Sequence, residues 1–188
     1  MKSLFTTITL LAFFLPSVLT AQKKIKEAPV FNGYHKNIFV EVLGSSILAG
    51  VNFDMRLKRG RMDGIGFRAG IGGQSATGKD SNGTYRVGVV TFPLEFNVLK
   101  GKRRSAFYAG AGLLPVYVGI SGNVKTDLEP WYFFGEAFGI SGGYLTFGYR
   151  LQPLRQGFMM QINWNPMILR GSGFNWAWVG LGLGYGFK

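Results

Sequence analysis

From Val179 to Phe187 the chain alternates without a break. Ala177, Val179, Leu181, Leu183, Tyr185 and Phe187 take every second position, and Gly180, Gly182, Gly184 and Gly186 fall between them. A period of two belongs to a β-strand, which sends successive side chains to opposite faces. Glycine weakens a strand, so four on one face need a reason, and a water-facing surface supplies none. The inside of a narrow barrel of about eight strands does, because small residues must there stand opposite large ones. The segment therefore predicts a strand with glycine on an inner face and apolar side chains on the outer one.

The same alternation recurs along the chain. Val51, Phe53, Met55 and Leu57 alternate with Asn52, Asp54 and Arg56, and Phe92, Leu94, Phe96 and Val98 with Thr91, Pro93, Glu95 and Asn97. Leu145 to Leu151 and Phe158 to Trp164 repeat it, while Gly66, Gly70 and Gly72 flank Arg68 as the glycines of the last strand flank one another. Strands are expected at Ile38–Leu43, Gly50–Leu57, Gly64–Gly72, Arg86–Leu99, Ser105–Gly119, Gly142–Leu151, Phe158–Ile168 and Trp176–Phe187, about eight in all. The chain is 47% hydrophobic, yet nothing after Ala21 offers 18 uninterrupted apolar residues, which excludes membrane-spanning helices and leaves strands. In a soluble barrel the oily face points inward; in an outer-membrane barrel the faces are exchanged, and the glycines favour the second. The expected fold is all-β: one transmembrane up-and-down antiparallel β-barrel over residues 36–188. A soluble ligand-carrying barrel of the lipocalin kind is disfavoured by the glycine face and the outward tryptophans.

Lys2, the apolar run Leu4–Leu15, Pro16 and Ala21 read as a signal peptide over Met1–Ala21. Gln22–His35 is basic and aperiodic and reads as a loosely ordered periplasmic leader. The connections Lys58–Arg61, Lys100–Arg104 and Gln152–Gly157 are short, whereas Gln74–Tyr85 and Ile120–Gly139 are long. Short periplasmic turns and long external loops place both termini in the periplasm of an outer membrane. Without Lys2, 20 Lys and Arg face 9 Asp and Glu, a net +11, and 13 of those cations fall in the leader, at Lys36 just after it, in the short turns or at Lys188. Spread along one rim, such charge suits lipid headgroup phosphates better than nucleic acid, which is not expected as a partner.

By parity Glu41, Asp54 and Glu95 share the inner face with Arg56, Arg68 and Arg150. Three acids and three bases in a narrow lumen admit an ion path or a catalytic acid pair, but a structural polar plug is the favoured reading, because buried charges must be paired. Gly73–Asp80 approaches the phosphate-loop pattern but ends in Asp80 where a hydroxyl is required, and no helix follows. With no cysteine and a single histidine, His35, neither a thiolate metal set nor a hydrolytic triad can be assembled, so no cofactor, metal or catalytic residue is assigned. Trp131, Tyr132, Phe133 and Phe134 form an aromatic external segment, either packed at the barrel mouth or offered to a lipid or protein partner.

Gly148-Tyr149-Arg150-Leu151-Gln152-Pro153, Gly157–Pro166 and the ending Gly184-Tyr185-Gly186-Phe187 resemble small outer-membrane β-barrel proteins of the Bacteroidota, of OmpA/OmpX-like eight-stranded architecture. Asn52–Arg56 and Gly64–Gly70 are similar to the second and third strands of that group. Phe187 is penultimate, where the group ends on an aromatic residue. The resemblance implies an integral barrel partnered by outer-membrane lipids, lipopolysaccharide and the assembly machinery. Its role is expected to be non-enzymatic, structural or the presentation of external loops to a binding partner. The alternative is a lipid A- or phospholipid-modifying enzyme.

Overall fold

The computed structural model describes residues 31–80, 83–122 and 138–188. The expected signal peptide, the start of the leader and Trp131–Phe134 lie outside the described residues. Eleven strands account for most of the described residues: β1 (Lys36–Leu43), β2 (Ala49–Arg56), β3 (Gly64–Asp80), β4 (Gly83–Thr91), β5 (Leu94–Lys102), β6 (Ser105–Gly122), β7 (Phe138–Leu151), β8 (Gly157–Trp164), β9 (Met167–Leu169), β10 (Gly173–Asn175) and β11 (Val179–Phe187). A single 3-10 turn, Gly44–Ser46, separates β1 from β2.

All strand pairings are antiparallel, and they return on themselves. β1 pairs β2 on one side and β11 on the other, with Phe39 opposite Gly184 and Glu41 opposite Gly182 on the β11 side. From β2 the hydrogen bonds pass to β3, then to β5, β6, β7, β8 and back to β11, so part of the sheet is ring-closed. β4 lies between β3 and β6 beyond β5, β9 joins β7 beyond β8, and among the described residues β10 pairs only with β9.

The count of eleven corrects the expectation of about eight, and prolines explain most of the difference. Pro93 has no N–H to give the ladder, so the segment expected to run unbroken from Arg86 to Leu99 divides into β4 and β5. Phe92 N and Pro93 O still bond to Pro115 O and Gly70 N, at 2.8 and 2.9 Å. Pro166 divides the expected Phe158–Ile168 in the same way. The last strand starts at Val179 instead of Trp176, and the expected loop Leu169–Asn175 contains β10. The loop expected over Gln74–Tyr85 is also corrected: β3 continues to Asp80 and β4 begins at Gly83, paired through Thr77↔Arg86 and Lys79↔Thr84. Gln74 to Thr77 are exposed, and a ribbon wetted on both faces needs no apolar alternation to pair. The near-phosphate loop Gly73–Asp80 thus lies extended within β3. The second long loop is narrowed, with β6 reaching Gly122 and β7 starting at Phe138. The end of the leader is not loose either. Arg56 N bonds to His35 O at 2.9 Å and Gly60 N to Gly33 O at 2.9 Å, continuing the ladder below β1, and His35 is fully buried.

The two faces of the ring have opposite chemistry. Among the described residues 30 large apolar side chains are exposed, while the buried set holds 19 polar or charged residues and only 10 apolar ones. Phe96 and Phe107, 67% and 72% exposed, stand on the outside; Glu95 and Asn97, beside Phe96, are buried.

Candidate functional site

The buried face carries the six charges singled out by parity, and the ring brings all of them together. They form two tiers. In the first, Glu41 on β1 and Glu95 on β5 flank Arg68 on β3. Arg68 Nη2 donates to Glu41 Oε2, and its Nη1 lies 3.7 Å from Glu95 Oε2. In the second, Asp54 on β2 takes Arg56 Nη2 on one oxygen at 2.6 Å and Arg150 Nη1 from β7 on the other at 2.7 Å. All six are at most 1% exposed. Charges this deep are tolerated only when paired and hydrogen-bonded, and the pairing is complete: each acid meets a base.

Neutral polar side chains add further hydrogen bonds, although Arg56 Nε, Arg68 Nη1 and Arg150 Nη2 are buried without a hydrogen-bond partner among the described residues. Asn97 joins the tiers, its Nδ2 lying 3.1 Å from both Glu95 Oε1 and Asp54 Oδ2, while its Oδ1 accepts from Arg56 at 2.5 Å. Tyr108 OH donates to Glu95, whose second oxygen accepts from Thr146 Oγ1 at 2.9 Å. Asn163 Nδ2 donates to Glu41 at 3.0 Å, Asn52 Oδ1 accepts from Arg68 Nε at 3.0 Å, and Gln161 Oε1 from Arg150 Nε at 2.9 Å. The guanidinium of Arg68 lies over the Phe39 ring and that of Arg150 over the Tyr108 ring, 5.0 and 4.6 Å from the centroids.

The inner glycines make room for this network. A Cβ on Gly66 would stand 2.1 Å from the Arg56 guanidinium carbon, one on Gly70 2.2 Å from Asn52 Oδ1, and one on Gly110 2.8 Å from Glu95 Oε1. Each large polar head therefore occupies the space that a neighbouring strand leaves by having no side chain.

Apolar layers bound the charges at both ends. Leu114, two residues beyond the Glu95 partner Gly112, packs with Val116, Tyr144 and Met167, joined by Ile47 and Trp178. At the other end Leu99, Ala106 and Tyr108 cluster, and Gln152 Nε2 binds Met62 O at 2.9 Å. His35 lies at this second end, 3.5 Å from Asn37 Nδ2. Burial, followed by the positive charge of Arg150, lowers its pKa to about 4. Such an arrangement ties the strands to one another through buried side chains.

Parity alone missed several members. Asn52, Asn97 and Asn163 share the polar parity and were legible as a class. Ser45, which gives both its N–H and its hydroxyl to Glu41 at 3.2 and 3.0 Å, arrives from the turn after β1 and carries no periodic signal.

No family model matches the chain, and no curated protein matches it significantly.

Proposed function

We propose that the chain is an integral outer-membrane β-barrel with a non-enzymatic role, either structural or in presenting its external segments to a partner. The observation that carries this reading is the inverted polarity of the ring-closed sheet, with paired charges and glycine within and apolar side chains without. Soluble monomers rarely leave an apolar surface of this extent to water; a bilayer requires one. Side chains fill the lumen of a narrow barrel, and the paired charge tiers supply that filling here.

On this reading Met1–Ala21 is the export signal, and the short turns carrying Lys58, Arg59, Arg103 and Arg104 face the periplasm with both termini. The long β3–β4 hairpin projects outward. Its kinship is with the small barrels of the Bacteroidota that its strand motifs resemble. Membrane fractionation and electrophoresis test it together: the protein is expected in the outer-membrane fraction, migrating as a compact band that shifts on boiling. Recovery as a soluble periplasmic monomer would overturn it.

A further inference from the structure

β7 changes partner along its length. Phe147 to Leu151 pair with β8, and Gly142 to Tyr144 pair with β9. On the outer face beside this junction lies a groove of about 1040 Å³. Leu145, Ile168, Phe174 and Trp164 contribute to its walls, and Gly143 lies among its lining residues. A Cβ on Gly143 would meet nothing closer than Gly112 O at 3.4 Å and Leu113 Cδ2 at 3.9 Å, so the glycine leaves open room. Arg170, in the turn after β9, is the charged residue among those lining the groove, and it lies at the end of the sheet away from Lys58 and Arg103.

We infer that this groove seats an acyl chain of a phosphorylated glycolipid of the external leaflet, of the lipid A type, with the lipid phosphate on Arg170. The inference rests on the membrane reading above and assigns it a specific lipid site. The groove faces outward among apolar residues, where acyl chains are the available filling. Its volume is at the upper end of sites that bury small ligands, which run to about 1,000 Å³. Apolar walls ending at a cation match an amphiphile whose anionic head sits at the interface, and a guanidinium pairs with phosphate in a fixed, forked geometry. Arg170 lies on the external side in the proposed orientation, which selects the outer leaflet as the source.

The test uses the full mature protein, folded in detergent and shown by heat-modifiable migration to be folded. Bisphosphorylated lipid A, its dephosphorylated form and phosphatidylglycerol are titrated in, and retained lipid is counted by native mass spectrometry. The wild type is expected to retain one bisphosphorylated lipid A. Gly143→Phe, which fills the groove, is expected to weaken retention of both lipid A forms by about tenfold or more, and Arg170→Gln that of the phosphorylated form alone by about tenfold. If Gly143→Phe fails to fold, Leu145→Trp fills the groove from its wall. Equal retention by wild type and variants, or equal retention of phosphatidylglycerol, would overturn the site while leaving the barrel reading intact. A chain that does not insert into vesicles at all would overturn both.

Discussion

Asp54 and Arg150 stand 96 residues apart in the sequence and meet at 2.7 Å inside the ring. The contact joins β2 to β7 on the buried face of the ring-closed sheet, and Asp54 holds Arg56 with its other oxygen. Asp54→Ala would leave two guanidinium groups buried beside no acid, and breaking a buried pair costs about 3–5 kcal/mol. The variant should unfold at clearly lower urea in detergent micelles. Asp54→Ala combined with Arg150→Met should lose less than the two single changes added together, since the second removes a charge that the first orphaned. Strict additivity would show that the two residues are not coupled.

The seam between β1 and β11 depends on Gly184. A Cβ there would lie 2.1 Å from Ile38 O and 2.4 Å from Phe39 Cβ, and the backbone oxygen cannot swing aside as a side chain can. Gly184→Val is expected to abolish the compact, heat-modifiable band. Gly88→Ala, whose nearest contact would be Gly119 O at 3.9 Å, should fold as the wild type does. A normal band from Gly184→Val would refute the close approach at the seam.

Acid should loosen the end of the ring at which His35 is buried. His35 titrates near 4 in the folded chain against an ordinary 6.5, because burial favours its neutral form. Above about pH 6.5 both states are neutral there and stability is full; as pH falls from 6.5 towards 4 the unfolded chain takes up the proton first, and stability drops. The loss reaches at most about 3 kcal/mol, since each tenfold difference in proton affinity between the two states is worth about 1.4 kcal/mol. Urea midpoints measured between pH 8 and pH 4 should fall accordingly, and His35→Gln should flatten that part of the profile.

Phe96 separates the membrane reading from a soluble one. An exposed Phe→Arg change is harmless or helpful in water, whereas an arginine facing hydrocarbon near the midplane costs about 2–4 kcal/mol. Phe96→Arg is therefore expected to lower the folded yield in bilayers. An unchanged yield would argue that this face meets water.

How much of the fold and its buried charge network was legible depended on whether a residue's position carried a period. Asp54, Arg56, Arg68, Glu95 and Arg150 could be assigned to one face because each sits in an alternating run. The glycines opposite them could be read for the same reason. Phe39 lies inside among Ile38, Val40 and Val42, which are outside, and a continuous apolar run hides that difference. Ser45 is turned in by Leu43 and Ile47 at φ 58° and 73°, left-handed values that no glycine at those positions announces. The extension of β3 through Gln74–Lys79 was hidden because Gln74 to Thr77 are exposed and carry no apolar alternation. His35 escaped because its burial comes from β1 and β2 continuing one step below their apolar pattern.

The central claim is that the apolar face of the ring meets lipid. The chain has no native cysteine, so single cysteines report without interference. Val40→Cys, Leu145→Cys and Leu183→Cys on the outer face are compared, in native outer membranes, with Arg59→Cys and Arg103→Cys in the short turns, using a membrane-permeant but polar maleimide after mild opening of the periplasm. The three strand positions are expected to resist labelling until the protein is unfolded, while the two turn positions react at once. Strand cysteines that label as fast as the turn cysteines would contradict the claim.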